Sequence, residues 1–244
     1  MTFTAETSVE ELLVTLPAAA GVFEILGIDY CCRQERSLQK ACAASGLDSN
    51  EVIDILRGEP VVTEPVRLRL AADSPLSELA GEIVRHHHRH ARKRLVALIQ
   101  TVRTLCSAHA GRFPEIWKIR DQIEKLARDL IPHMAREERY LFPYIASLEH
   151  GVPDTEIVVP LFGTIEFPLQ SVRHDHADDL TTINVLRETT RNFAPPEEAC
   201  SRFRAFYADL SDFTMELQEH IHVENNVLFP RAVEMEKRAA SGPR

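Results

Sequence analysis

One eleven-residue phrase constrains this chain more than any other feature, because it occurs twice. His133-Met134-Ala135-Arg136-Glu137-Glu138-Arg139-Tyr140-Leu141-Phe142-Pro143 returns as His220-Ile221-His222-Val223-Glu224-Asn225-Asn226-Val227-Leu228-Phe229-Pro230. Both copies read His, three residues, Glu, three residues, Leu-Phe-Pro, and they stand 87 residues apart. His87 and His174 repeat at the same interval, each 46 residues ahead of its own His-x3-Glu. Four histidines and two glutamates in matched halves describe a two-metal centre at a pseudo-twofold axis.

The periodicity around each phrase places it on a helix. Before and through the first copy, apolar or ligand-type residues fall at 116, 119, 123, 126, 130, 133, 137, 140 and 144. The steps alternate between 3 and 4, which is the seam of a helix bundle. The second copy continues a seam through 203, 206, 210, 213, 217, 220, 224 and 228. A spacing of four stacks His133 over Glu137, and His220 over Glu224, on one face. Ionisable groups on a buried seam are costly unless something compensates them, and a metal would. A core in which histidine simply hydrogen-bonds glutamate would account for one such pair. Two copies with matched upstream histidines favour metal.

Four long helices are expected: 75 to 107 with Ser74 as cap and Pro75 in first position, one after Phe113-Pro114, one over roughly 163 to 192, and one after Pro195-Pro196. They make an all-α, up-down-up-down four-helix bundle spanning 75–237. Pro132, Pro143, Pro168 and Pro230 predict local kinks or terminations. The third helix is weaker, and its apolar phase (Ile165, Leu169, Val172, Leu180, Ile183) includes His176 more naturally than His174. The 46-residue symmetry favours His174, so both stay open. His86 and His88, about 100° to either side of His87, are expected to face solvent or neighbouring helices. His90, one turn on, is a candidate to back the site or relay protons, and Glu138 is expected at the surface.

Residues 1–57 read as a small separate domain of short helices. Ser8-Val9-Glu10-Glu11 opens one, a Leu38/Ala41/Cys42 stripe marks another, and Asp48-Ser49-Asn50-Glu51 starts a third that Gly58 stops. Residues 58–74, with Gly58, Pro60 and Pro65, are read as a linker. Cys31-Cys32 sits at a junction after Asp29-Tyr30; adjacent thiols there suit metal binding or exchange with a partner thiol.

Composition limits the alternatives. Net charge is −9, which excludes a nucleic-acid surface, and no apolar run approaches the roughly 20 residues of a membrane span. Five cysteines without framework spacing, and no basic leader with an apolar core, predict a reduced, cytoplasmic protein. Imidazole and carboxylate without thiolate suit iron or manganese, and iron is expected.

With these residues in place, nearly the whole chain resembles the iron–sulfur cluster repair di-iron family (RIC; the YtfE/ScdA/DnrN type). Asp29-Tyr30-Cys31-Cys32 is similar to that family's small cysteine-containing ScdA N-terminal-like domain. The two His-x3-Glu-x3-Leu-Phe-Pro phrases are similar to its haemerythrin-like domain. The resemblance implies a non-haem di-iron centre bridged by two glutamates and an oxo group. By motif, the ligands would be His87, His133, Glu137, His174, His220 and Glu224, with Cys31 and Cys32 as a candidate redox thiol pair. It also implies the repair of iron–sulfur clusters damaged by nitric oxide or peroxide, with the damaged proteins as clients. Two departures stand out: Arg33-Gln34 where the family usually has two glycines, and Arg173 where it often has a Glu before the histidine of the third helix.

Iron donation is the leading expectation. Reduction of nitric oxide at the centre, or reversible sensing of nitric oxide or oxygen, needs the same ligands. Sequence does not separate enzyme from binding protein, and it leaves the oligomeric state open, a homodimer included.

Overall fold

The structure is a computed structural model that describes residues 3–16, 18–28, 36–58, 74–149 and 164–241. Every regular element among them is helical, joined only by an isolated antiparallel bridge between Ser8 and Ser37. The expected all-α class is what the chain adopts.

Four short helices come first, and their ends follow from local chemistry. α1 (Val9–Thr15) starts where the Ser8 hydroxyl accepts from the Glu11 N–H at 3.1 Å. α2 (Ala19–Ile25) is followed by Gly27 in the left-handed region at φ 67°. α3 (Leu38–Ala44) is capped by Ser37 and buries Leu38, Ala41 and Cys42. α4 (Ser49–Arg57) is capped by Asp48, whose carboxylate accepts from Asn50 N at 2.7 Å and Glu51 N at 3.3 Å. It ends at Gly58, again left-handed, and buries Val52, Ile53 and Ile55. Cys31-Cys32, and the expected linker apart from Gly58 and Ser74, lie outside the described residues.

Four long helices follow. α5 covers 76–109, α6 115–148, α7 is Glu166–Thr189, and α8 covers 201–241. α5 packs on α6 and α8, α6 on α7, and α7 on α8, which closes a ring of four. Two buried apolar clusters fill it. One joins α1–α4 to the lower bundle through residues such as Leu95, Ile99, Ile123, Leu130 and Leu217. The other holds Leu76, Ile83, Leu141, Phe142, Ile145, Leu228 and Phe229. The polar residues of the repeated phrases fall between the two, so apolar packing closes over them from both ends.

Three of the long helices contain a π turn. In α5 it is Ile83–His88, in α6 Glu137–Leu141 and in α8 Glu224–Leu228. The Phe142 N–H reaches back to Glu137 O and the Phe229 N–H to Glu224 O, five residues rather than four. Pro143 and Pro230 follow immediately. Lacking an N–H, each removes the donor that a regular α-helix would aim at Arg139 O or Asn226 O. The Leu-Phe-Pro ending therefore favours the wider turn, and the helices run on through it rather than terminating. Pro132 likewise lies inside a continuous helix. Ser74 does not cap α5; the carboxylate of Glu149 accepts from the N–H groups of Leu76 and Ser77 instead.

Candidate metal centre

Each half of the site begins with a His and a Glu one turn apart on a single helix. On α6 these are His133 and Glu137, with Nε2 and Oε2 3.3 Å apart; on α8 they are His220 and Glu224, with Nε2 and Oε1 at 2.9 Å. All four side chains are at most 1% exposed. The π turn starts at each glutamate, and the wider turn sets the carboxylate against the axis between the helices.

The histidines from α5 and α7 that join them are His88 and His176. His88 Nε2 lies 3.2 Å from His220 Nε2 and 3.5 Å from oxygens of both Glu137 and Glu224. His176 Nε2 lies 3.1 Å from His133 Nε2 and 3.1 Å from Glu224 Oε2. Two groups of donor atoms result: His88, Glu137, His220 and Glu224, and His133, Glu137, His176 and Glu224. Within each, the donor atoms all lie within 4.8 Å of one another, and both glutamates belong to both groups.

The expected positions His87 and His174 stand elsewhere. His174 is 78% exposed and faces Asp178, at 3.9 Å. His87 is buried, but its ring stacks on that of His220 at 5.4 Å between centroids, behind the cluster. Its Nε2 has no hydrogen-bond partner among the described residues. Burial, and then His220, push its pKa down to about 3, so it packs as a neutral ring. The physical reason is helix phase. Each residue turns a helix by about 100°, and the π turn ending at His88 inserts a residue into α5 that α7 does not have. Counting back from Ile99 and Leu95 by threes and fours reaches His88, a signal the sequence does carry. For α7 the apolar phase already singled out His176.

Behind the imidazoles lies a layer that the sequence reading largely missed. Glu138, expected at the surface, receives His88 Nδ1 at 2.7 Å and the Arg92 guanidinium at 2.7 Å. Asp175 receives His133 Nδ1 at 3.1 Å and Arg136 at 2.9 Å, and the Asn225 side-chain oxygen receives His176 Nδ1 at 3.2 Å. With His176 in the cluster, the residue preceding it is this acidic Asp175, so a carboxylate stands before the histidine of the third long helix and Arg173 does not replace it. His90, by contrast, lies 3.0 Å from Glu216 and belongs to neither group of donors.

Donation from Nδ1 to an oxygen leaves the Nε2 lone pair of each of these rings facing inward. The lone pairs of His133 and His176, 3.1 Å apart, repel unless a proton or a cation lies between them. The oxygens of Glu137 and Glu224 are also buried, and among the described residues they are approached by imidazole Nε2 atoms without a hydrogen bond of good geometry. The electrostatics point the same way. Burial disfavours a charged His133, but Glu137, Glu224 and Asp175 outweigh it and raise its pKa to about 10. Burial likewise opposes a charged His88, and Glu138, Glu224 and Glu137 carry it up to about 9. Burial opposes the Glu224 carboxylate, yet His220, His176 and His88 hold its pKa well below the usual range. The site stabilises positive charge at its centre, and its donors fit a cation pair.

Comparison with known proteins agrees with this geometry. The Hemerythrin HHE cation binding domain matches residues 79–232, and the ScdA_N domain, a domain of unknown function (DUF542), matches residues 5–59. The iron-sulfur cluster repair protein YtfE of Pectobacterium atrosepticum is 29% identical over 228 residues, covering 93% of this chain and 97% of that protein. The protein of the same name from Edwardsiella ictaluri is 32% identical, covering 91% and 95%, and that of Escherichia coli is 33% identical, covering 91% and 94%. A chain carrying both domains in this order, and aligned with these relatives over nearly its whole length, belongs to the YtfE-type iron–sulfur cluster repair family with a hemerythrin HHE cation binding domain.

Proposed function

We propose that this chain holds two iron ions and donates iron to iron–sulfur proteins whose clusters nitrosative or oxidative stress has damaged. His88 and His220 would serve one ion, His133 and His176 the other, with Glu137 and Glu224 shared as bridges. The observation that carries this reading is the pair of buried donor groups with both glutamates in common. Four imidazoles and two carboxylates without a thiolate suit iron better than structural zinc. Fewer than six protein donors then face each ion, which leaves room for an oxo bridge or a small ligand such as nitric oxide or oxygen. The relatives' name, iron-sulfur cluster repair protein, supplies the client class.

The residues do the holding. The two apolar clusters exclude water above and below, and Glu138, Asp175 and Asn225 keep three imidazoles in the ligating tautomer. When bound, the iron pair supplies redox chemistry and a transferable ion. The helices are fixed by their seams rather than by the metal, so the bundle can lose an ion and stay folded. We assign residues 1–57 to a client-facing domain with Cys31 and Cys32, 58–74 to the linker and 75–237 to the bundle. Among the described residues no helix is long and apolar enough to cross a membrane.

The test is iron quantification with Mössbauer spectroscopy before and after incubation with a client stripped of its cluster. About two irons per chain, falling as client activity returns, is the expected result. Zinc in place of iron, or iron that never moves, would sink the proposal.

A further inference from the structure

The four imidazoles of the cluster are not held alike. Within the bundle, Asp175 orients His133 and Asn225 orients His176, at 3.1 and 3.2 Å from their Nδ1 atoms. In the other half only His88 has such a partner, Glu138 at 2.7 Å. The Nδ1 of His220 is buried with no hydrogen-bond partner among the described residues. The His88/His220 half therefore depends on Glu138 for its orientation.

Glu138 in turn depends on the N-terminal helices. Its Oε1 accepts from Arg92 Nη2 at 2.7 Å, and Arg92 Nη1 lies 3.3 Å from Glu51 Oε2 on α4. The Arg92 side chain is 1% exposed and that of Glu51 7%, so solvent does not replace either partner. A guanidinium can bridge two carboxylates at fixed spacing, which an ammonium cannot. The seating around this bridge is close. Gly46, at φ +73°, lets the backbone after α3 approach α6 so tightly that a Cβ there would stand 3.1 Å from the Ala135 Cβ. Arg89 and Asp48 meet at 3.8 Å alongside it.

We propose that docking of the N-terminal helices governs metal retention in the His88/His220 half, through the chain Glu51–Arg92–Glu138–His88, and leaves the His133/His176 half unaffected. This rests on the reading of the cluster as a two-metal site. With α4 seated, Arg92 faces two carboxylates and Glu138 stays where it accepts the His88 N–H. With α4 displaced, Arg92 has one buried carboxylate left, Glu138 is drawn to it, and His88 loses its orienting partner. By reciprocity, metal in that half strengthens the seating of α4. A client protein that displaced α4 would free one ion and leave the other in place.

Wild-type protein and the Glu51→Gln variant, each loaded anaerobically with ferrous iron, are challenged with excess ferrous chelator. Glu51→Gln should release one of two equivalents about tenfold faster or more, the usual scale for a residue that orients a ligand, and the other at the wild-type rate. Asp175→Asn should accelerate one equivalent as well, and the double variant both. Arg92→Lys keeps the charge without the fork and should reproduce the single fast phase, which covers the case of a poorly folding Glu51 variant. Hydrogen exchange of the α4 amides should slow when iron is added to wild type and not to Glu51→Gln. Unchanged release in both Glu51→Gln and Arg92→Lys, or equal acceleration of both equivalents, overturns the inference. A wild-type chain that binds no iron overturns the two-metal reading and this inference with it, and the stoichiometry measured before the challenge tells the two failures apart.

Discussion

His88 Nδ1 and Glu138 Oε1 meet at 2.7 Å across the α5–α6 interface, one residue along from each expected position: the histidine next to His87, the glutamate next to Glu137. A carboxylate behind a ligating imidazole fixes its tautomer and raises its basicity. Glu138→Gln keeps the shape of the acceptor and removes its charge. The expected result is metal affinity about tenfold weaker, read by chelator competition, with an unchanged helical circular dichroism spectrum. Unaltered affinity would show that the contact is packing alone.

The pH dependence follows from the imidazoles whose pKa values are raised. Burial opposes the charged form of His88, His133 and His176, but neighbouring carboxylates raise all three, His88 to about 9 and His133 to about 10, against about 6.5 unfolded. Stability from a raised pKa is fully present below the unfolded value and is lost as pH climbs through the folded one. The metal-free protein should therefore lose melting temperature steadily from about pH 7 to pH 10, and the metal-loaded protein less so. Metal must also displace these protons, so uptake at pH 7 should release about two protons per chain from His88 and His133, and more to the extent that His176 is also protonated. Calorimetry in buffers of different ionisation enthalpy measures that number, and a value near zero would mean that the imidazoles are already neutral.

Alanine substitutions distinguish neighbouring histidines that the repeat alone confuses. His88→Ala and His176→Ala remove Nε2 donors that face the shared glutamates, and each should lower metal content by about one ion per chain. His174→Ala, at a position 78% exposed, should leave content unchanged. His87→Ala removes a buried ring stacked on His220 and should cost about 2–4 kcal/mol of stability as a cavity, with metal content retained. Elemental analysis beside chemical unfolding separates the two effects. Full metal loss in His174→Ala would restore the simple 87-residue symmetry.

The repeat and its seams carried the all-α bundle and the four residues His133, Glu137, His220 and Glu224, because a 3,4 step along a helix is a direct image of burial. His88 is reached by the apolar phase only from the C-terminal side, through Ile99 and Leu95; counted from Leu76, Leu79 and Ile83 the regular phase lands on His87, and the π turn at Ile83–His88 is the residue of difference between the two. His176 is visible in the apolar phase, and the numerical symmetry that holds His174 open beside it has no energetic basis. Glu138, Asp175 and Asn225 each sit beside a site residue in sequence, but their roles depend on which helix stands opposite. The pairing of Arg92 with Glu51 joins residues 41 apart, and nothing in a single chain's local pattern encodes such a contact.

At the far end of the bundle from the N-terminal helices, Glu149 closes the top of α5. Its carboxylate accepts from Leu76 N–H, from Ser77 N–H at 3.1 Å and from the Ser77 hydroxyl at 2.6 Å. Pro75 in the cap position offers no side-chain acceptor, so an acidic residue 73 positions beyond Leu76 does the work of an N-cap and also complements the helix dipole. Glu149→Ala should cost about 0.5–2 kcal/mol, the range for losing a cap, measured as a lower midpoint in urea with an unchanged slope. The first turn of α5 packs with Leu141, Phe142 and Phe229 in the apolar cluster above the metal site. Fraying there should therefore speed hydrogen exchange in 76–82 while metal content stays at the wild-type level. Loss of metal without loss of stability would instead place Glu149 in the service of the site.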